Sequence, residues 1–354
     1  YVLCTVYKHN QEKNMKINLI LPGARSSGGV RVAFEYMNAL VEKGHDVVCY
    51  VPASGAYIGW KKILFPRAMI RLVYSSDWKG KWFDRRFELK FPFAICNKAV
   101  RDADITIATS WLTSYWVNRL STWETEKINQ KVIESYRLPF DAKISVGTAL
   151  HDRLIQEAGC ESVVICNGVE ECFLKSTGNE KSKENITIGF PYREPKVKNC
   201  DMGMRVLLKL KEKYPSIELV SFGFKKPQVW DERIRFVESP SREALVDLYG
   251  QMDIFYVPSI YEGWGLPAME AMAQACCVVA GNSGVIQEIG RDKENCVILD
   301  DPGNERETLD KLSELICEPV QVYEIGKKAR EVVSGMTSRM SAERFEDVLR
   351  QTIY

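Results

Sequence analysis

The feature that most narrows what this chain can fold into is an alternation in its second half. Short apolar runs at Ile186–Phe190, Ile217–Ser221, Ile234–Val237, Asp253–Val257, Cys276–Ala280 and Cys296–Leu299 are separated by helical patterns at 201–214, 241–251, 267–274 and 304–317. Apolar runs without polar alternation suit strands buried on both faces, and strands alternating with helices imply a parallel sheet covered by helices. The first half repeats the theme, with apolar runs at Ile17–Leu21, Asp46–Val51, Ala103–Thr109, Ala142–Gly147 and Ser162–Cys166, and a helical pattern from Val30 to about Lys43. At 354 residues the chain is too long for one ordinary core. The spacing predicts an α/β protein of two doubly wound, Rossmann-like domains, over 15–175 and 185–335. The polar stretch Gly178–Glu184 reads as the linker, and 336–354 as a final amphipathic helix with Met340, Phe345, Val348 and Leu349 on one face.

Several function classes are disfavoured by composition. A net charge of +1 lacks the basic excess that binding to nucleic-acid phosphates requires. No apolar run is long enough to span a bilayer. The 11 cysteines are scattered and never form Cys-x-x-Cys, which suits reduced thiols in a cytoplasmic protein better than a disulfide framework. One stretch stands apart: residues 60–99 hold ten Lys/Arg against three Asp/Glu, interleaved with nine aromatics including Trp60, Trp78, Trp82, Phe83 and Phe87. Two readings fit, a peripheral contact with an anionic membrane surface or a helix pair with its aromatics turned inward. Met15 looks like a natural start, so 1–14 reads as an upstream extension. The direct passage between helical patterns at Leu120–Glu124 suggests residues missing near Ser121.

The chemistry concentrates in Ser259-Ile-Tyr-Glu-Gly-Trp-Gly-Leu-Pro-Ala-Met-Glu-Ala-Met-Ala273. It follows the apolar run at 253–258, breaks at Gly263 and Gly265, and resumes as a helix near Pro267. Ligands of open α/β sheets bind at the carboxyl ends of strands, and helix N-termini attract phosphate. Glu262 lies in the loop, and Glu270 is expected in the first helical turn, where it could accept from ribose hydroxyls or simply complement the helix dipole. Arg193 and Lys198 leave the first strand of this half together; they could address a diphosphate, or belong to a solvated charged loop. Gly28 and Gly29, after the first apolar run, could cradle a phosphate or merely start a helix, and Gly-x-Gly-x-x-Gly is absent there.

Glu262 and Glu270 with seven residues between them, in the context just given, closely resemble the signature of retaining nucleotide-sugar glycosyltransferases of family four, which have the GT-B fold. The resemblance extends to Gly28-Gly29, Asn167-Gly-Val169, Arg193 with Lys198, the run from Asp253 to Ser259, and Gly281–Glu288. It implies two Rossmann-like domains facing across a cleft, the first on the acceptor side and the second holding a UDP- or GDP-linked donor, with the last helix crossing back to the first domain. It further implies that Glu262 lies beside the donor sugar and that Glu270 binds the ribose. Arg193 and Lys198 would hold the diphosphate, aided by the backbone of Gly263, Trp264, Gly265 and Leu266, so that no metal is required. The implied reaction retains anomeric configuration by same-face attack, with the leaving phosphate taking the acceptor proton and no protein nucleophile. A saccharide or lipid-linked acceptor in polysaccharide or glycolipid biosynthesis, on the inner face of a membrane, is the corresponding expectation.

Two departures bear on this. Where relatives carry a histidine near the donor sugar, this chain reads Ser110-Trp111, which makes Trp111 the candidate acceptor contact. Asn199 follows Lys198 where relatives often have glycine. The rival readings are a sugar-nucleotide 2-epimerase, disfavoured by a chain with three histidines, and a non-catalytic binding relative, disfavoured by the intact Arg193, Lys198, Glu262 and Glu270.

Overall fold

The structure, a computed structural model, describes residues 2–6, 14–24, 26–52, 82–92, 95–96, 98–109, 133–175, 185–194 and 196–353. The chain forms two compact units, 1–167 with 338–354, and 168–337. The division falls at Asn167/Gly168; the polar stretch at 178–184 lies outside the described residues.

The second unit is a six-stranded parallel sheet. Its strands are β8 (Thr187–Pro191), β9 (Glu218–Gly223), β10 (Arg235–Glu238), β11 (Ile254–Val257), β12 (Cys277–Gly281) and β13 (Val297–Leu299), in the order β10-β9-β8-β11-β12-β13. Each lies within a residue or two of its sequence expectation. That order is the doubly wound one, and its winding reverses between β8 and β11. Both strands are apolar and buried because helices cover both faces of the sheet. Helices Cys200–Lys213, Arg242–Gly250, Leu266–Ala273 and Glu305–Cys317 match the four helical patterns. The long helix Pro319–Ser334 has no counterpart among them. Its interior Gly326 weakens a local helix signal, but a Cβ there would fall on the Ala275 carbonyl, so close packing against the turn before β12 accounts for that glycine.

The first unit has a seven-stranded sheet among the described residues. Its strands are β1 (Val2–Val6), β2 (Lys16–Ile20), β3 (Asp46–Tyr50), β4 (Glu88–Lys90), β5 (Ile105–Ala108), β6 (Ala142–Ser145) and β7 (Val163–Val164), in the order β4-β3-β2-β5-β1-β6-β7. One expectation needs correction here, and one open choice narrows. Residues 2–6 are part of the sheet: β1 lies between β5 and β6 and runs antiparallel to both. In the basic aromatic stretch, Glu88–Lys90 extends the sheet edge beside β3, while Trp82, Phe83 and Phe87 pack on Phe34 with ring centroids 5.7, 5.4 and 5.1 Å away. Phe87 is buried, and Trp82 and Phe83 are partly buried against the same core, as the inward-facing reading has it; Trp60 and Trp78 lie outside the described residues, as does the region of Ser121. Among the described residues no helix is long and apolar enough to cross a membrane, and all ten described cysteine side chains are free thiols.

The last helix, Ser338–Ile353, packs against helix Gly28–Glu42 within the first unit. Phe345 and Leu349 are buried there, with Phe345 5.1 Å from Tyr36. A buried polar cluster anchors the contact. Glu346 meets Lys43 Nζ at 2.5 Å, His45 Nε2 at 3.1 Å and Arg350 Nη2 at 2.7 Å. His45 Nδ1 accepts the Met15 N–H at 3.0 Å, which leaves Nε2 as the ring donor to Glu346. Burial alone would push the Glu346 carboxyl up, but hydrogen bonds from Lys43, His45 and Arg350 outweigh it and bring the pKa from 4.5 to about 2.

Since the folded value lies below the unfolded one, the unfolded chain takes up the proton first on acidification. The contribution of Glu346 is therefore complete above about pH 4.5 and disappears as pH falls toward 2. Glu346→Gln should cost about 3 kcal/mol at pH 7 and flatten the acid limb of stability. Urea unfolding midpoints between pH 7 and pH 2.5 measure both, and parallel pH profiles for the two proteins would contradict the assignment.

Candidate active site

The reversal of winding puts two chain segments at one crevice. The loop after β8 carries Arg193 and Lys198 and turns into the 3-10 segment Lys196–Lys198; the loop after β11 carries Glu262 to Gly265. A bond from the Ile260 N–H to the Val197 carbonyl, 2.9 Å, ties the loops together. Lys198 then reaches Glu262, Nζ to Oε1 at 2.6 Å, with side chains 27% and 18% exposed, so the pair is in contact yet open to a ligand. Asn199, the residue that stands where relatives often have glycine, has φ 50° and ψ 30°. Asparagine is among the few residues that enter this left-handed region readily, so the turn into helix Cys200–Lys213 is kept. Arg193 is exposed; its guanidinium donates to the Tyr192 carbonyl at 3.1 Å and forms no ion pair among the described residues.

The glycine loop is built for close backbone approach. Gly265 caps helix Leu266–Ala273 at φ 89°, a conformation strained for a side-chain-bearing residue, and Pro267 occupies the helix start. Among the described residues the N–H groups of Gly263, Trp264, Gly265 and Leu266 have no backbone acceptor, and they precede a helix N-terminus. Glu262 is oriented from behind, its N–H donating to Ser283 Oγ at 3.1 Å. Trp264 is 6% exposed, and its indole N–H meets no acceptor among the described residues. Glu262, Trp264 and Gly265, with Ser259 and Ser283, line a depression of about 230 Å3 including open solvent. Between Ser283 and Val285 of that lining, Gly284 has φ 58° and ψ −132°, and a Cβ there would lie on the Trp264 carbonyl, whose oxygen accepts the Val285 N–H at 2.6 Å.

Glu270 is the fifth residue of its helix, beyond the first turn, which removes the helix-dipole explanation for it. Its side chain is 8% exposed and fully engaged at one lone pair per oxygen. Arg242 Nη1 donates to Oε1 at 3.0 Å and Tyr249 Oη to Oε2 at 2.9 Å. Arg242 in turn is gripped by both oxygens of Glu170, through Nε at 3.2 Å and through Nη2, and lies 4.4 Å over the Phe173 ring. Burial would lower the guanidinium pKa, but the charges of Glu270 and Glu170 raise it further, so Arg242 stays a cation. Burial, then the Glu270 charge, pushes the Tyr249 phenol well up and keeps it a donor. Sequence reading had missed Glu170, Arg242 and Tyr249. Glu170 and Arg242 are 72 residues apart, so no local spacing announces their pairing.

In the first unit, Gly28 and Gly29 open helix Gly28–Glu42 rather than precede it. Ser27 is the N-cap, its Oγ accepting the Val30 N–H at 3.3 Å. They follow β2 at the reversal point of that sheet, and no atom lies within 4 Å of a Cβ built on Gly29. Trp111 lies outside the described residues. Among the described residues no group of three or more His, Cys, Asp or Glu is placed to hold a metal ion.

Gly284→Ala should cost about 2–4 kcal/mol, the sum of backbone strain and the displaced Trp264 carbonyl, and should weaken nucleoside diphosphate binding. Thermal melts with and without UDP or GDP check both effects; an unshifted melting temperature would contradict the geometry.

Comparison with known proteins agrees with this architecture. Residues 174–332 match the family model for Glycosyl transferases group 1. Among curated proteins, the MMP alpha-(1->4)-mannosyltransferase of Mycolicibacterium hassiacum is 32% identical over 90 residues, 25% of this chain and 22% of that protein. The D-inositol 3-phosphate glycosyltransferase of Corynebacterium diphtheriae is 34% identical over 118 residues, 33% of this chain and 27% of that one. The matched segments thus span about a quarter of these relatives. Among solved structures, sucrose-phosphate synthase from Thermosynechococcus elongatus superposes with a TM-score of 0.69 at 16% identity, over 96% of this chain and 99% of that one. Anabaena HepE, solved with UDP-glucose, gives 0.70 at 14% identity over 96% and 100%. The chain therefore has the GT-B fold and is related, through its second unit, to the Glycosyl transferases group 1 family.

Proposed function

We propose that this chain is a retaining glycosyltransferase that moves a hexosyl group from a UDP- or GDP-linked donor to a hydroxyl of a saccharide or lipid-linked acceptor in glycan assembly. The observation that carries the reading is the Lys198–Glu262 contact at 2.6 Å, at the winding reversal and beside four backbone N–H groups that have no backbone acceptor among the described residues. Cation, carboxylate and an anion-binding loop in one crevice match the parts of a nucleotide sugar. Lys198 and Arg193 take the diphosphate, with the Gly263–Leu266 backbone, and Glu262 takes hydroxyls of the sugar. Glu270 takes the ribose. The relatives named above are sugar-transferring enzymes, and the UDP-glucose bound in Anabaena HepE makes that donor the first to test.

In the reaction the bond between sugar C1 and the β-phosphate oxygen breaks, and the acceptor oxygen bonds to C1 on the same face. The acceptor proton passes to the departing phosphate, so neither a protein base nor a covalent intermediate enters. Charge grows on the leaving diphosphate, and Lys198, Arg193 and the N–H groups are the donors that would stabilise it. Lys198 exchanges Glu262 for phosphate when donor binds. This exchange gives Glu262 two effects of opposite sign, since its carboxylate holds the sugar but competes for the lysine and repels the diphosphate. The lipid-linked form of the acceptor draws its support from the basic residues of 60–99, now without Trp82, Phe83 and Phe87.

Glu262→Gln should therefore bind UDP or GDP at least as tightly as the parent while transfer falls by about a hundredfold or more. Lys198→Ala should lose both. Calorimetric nucleotide affinities and transfer of labelled sugar to a panel of acceptors provide the test; undiminished transfer in Glu262→Gln would remove the site assignment. Release of an epimerised sugar without transfer would select the epimerase instead.

A further inference from the structure

Glu270 and its partners form a chain of polar contacts that the transfer reaction does not itself require. Three elements meet around the Arg242 guanidinium: helix Arg242–Gly250 supplies Arg242 and Tyr249, helix Leu266–Ala273 supplies Glu270, and the segment around helix Glu171–Lys175 supplies Glu170 and Phe173. Arg242 and Tyr249 are seven positions apart, two helical turns, and so project from the same face. Ser241 caps that helix, its Oγ accepting the Ala244 N–H at 3.2 Å, which sets the position of Arg242 as the first helical residue.

An ionised carboxylate offers about four lone-pair sites, two on each oxygen. In Glu270 one site on each oxygen is taken, Oε1 by Arg242 and Oε2 by Tyr249. One site per oxygen is left, the number that a vicinal diol fills with its two O–H donors. Without Arg242 a carboxylate this buried would lose the cation that compensates its lost water and fixes Oε1 in place. Arg242 cannot swing away, because Glu170 engages it with both oxygens and Phe173 stacks beneath it.

We propose that Arg242 is a positioning residue for recognition of the nucleotide ribose: held by Glu170, it fixes the Glu270 carboxylate in one orientation, so that the chain selects ribonucleoside over deoxyribonucleoside diphosphates. The inference rests on the reading of Glu270 as the ribose acceptor. It separates Arg242 from the diphosphate-binding cations Arg193 and Lys198, since its donors face carboxylates.

The test measures affinities of UDP and GDP and of their 2′-deoxy and 3′-deoxy analogues by calorimetry, for the parent chain and for Glu270→Gln, Arg242→Gln, Arg242→Lys and Glu170→Gln, with thermal melts as a folding control. The parent should prefer the ribonucleotide by about tenfold or more for each hydroxyl, the value of one hydrogen bond to a charged group. Glu270→Gln should abolish that preference, Arg242→Gln should do the same, and Arg242→Lys, which restores the charge but one contact at a time, should recover part of it. Glu170→Gln leaves the guanidinium in place and should reduce the preference less, which keeps the test open if Arg242→Gln fails to fold. A folded Arg242→Gln or Arg242→Lys variant that binds all the nucleotides more weakly but with the parental preference would overturn the inference and leave Arg242 a structural residue. Preference retained in Glu270→Gln would instead overturn the ribose reading of Glu270. Absence of any nucleotide binding by the parent would overturn the proposed function.

Discussion

The structure of the second unit depends on the pairing of β8 with β11, strands whose paired residues Ile188 and Ile254 are far apart in sequence. A reciprocal latch holds that pairing at its base: the Thr187 N–H donates to the Asp253 carboxylate at 2.8 Å, and the Asp253 N–H donates to the Thr187 carbonyl at 2.9 Å. Gly189 lets the strands and their connections close, since a Cβ there would strike Met252. The helices that follow the two strands lie on opposite faces, so the loops diverge at the carboxyl ends and leave a crevice. The loops that carry Lys198, Glu262 and the Gly263–Leu266 backbone all open from that one topological event.

Charge is then distributed by depth. Near the surface, Lys198 and Glu262 are partly hydrated, and their contact can be exchanged for a ligand at modest cost. Deeper, Glu270 and Arg242 are 8% and 20% exposed and could not be separated cheaply, because a lone buried charge has lost its water without gaining a partner. The shallow pair is suited to changing partners and the deep one to standing still. Glu170 binds Arg242 but not Glu270, so one guanidinium is shared between two carboxylates.

Much of the fold was legible because strands buried on both faces leave contiguous apolar runs, and helices between them leave a periodic stripe. Ile254–Val257 and helix Leu266–Ala273 are of that kind. Helix Pro319–Ser334 was less legible because Gly326 answers to the Ala275 carbonyl in another element, a demand that local propensity does not register. β1 escaped notice for a related reason: its place between β5 and β6 is decided by pairing across the chain, not by its short apolar run. Trp82, Phe83 and Phe87 resembled an interfacial belt because alternation of bases and aromatics has two physical meanings, and only Phe34 distinguishes them.

The candidate site divides in the same way. By itself the sequence determined the strand–glycine loop–helix order around 253–273, the presence of Glu262 and Glu270 on it, and a cation pair at 193 and 198. Glycine conformations, helix starts and apolar strands are local properties, set by each residue's own sterics and solvation. Tertiary structure alone decided that Lys198 meets Glu262, that Gly284 must give way to the Trp264 carbonyl, and that Glu270 is held by Arg242 and Tyr249 rather than by its helix dipole. Contacts of that sort join residues that chain order leaves far apart. They exist because a buried polar atom must find its partner wherever the fold has placed one.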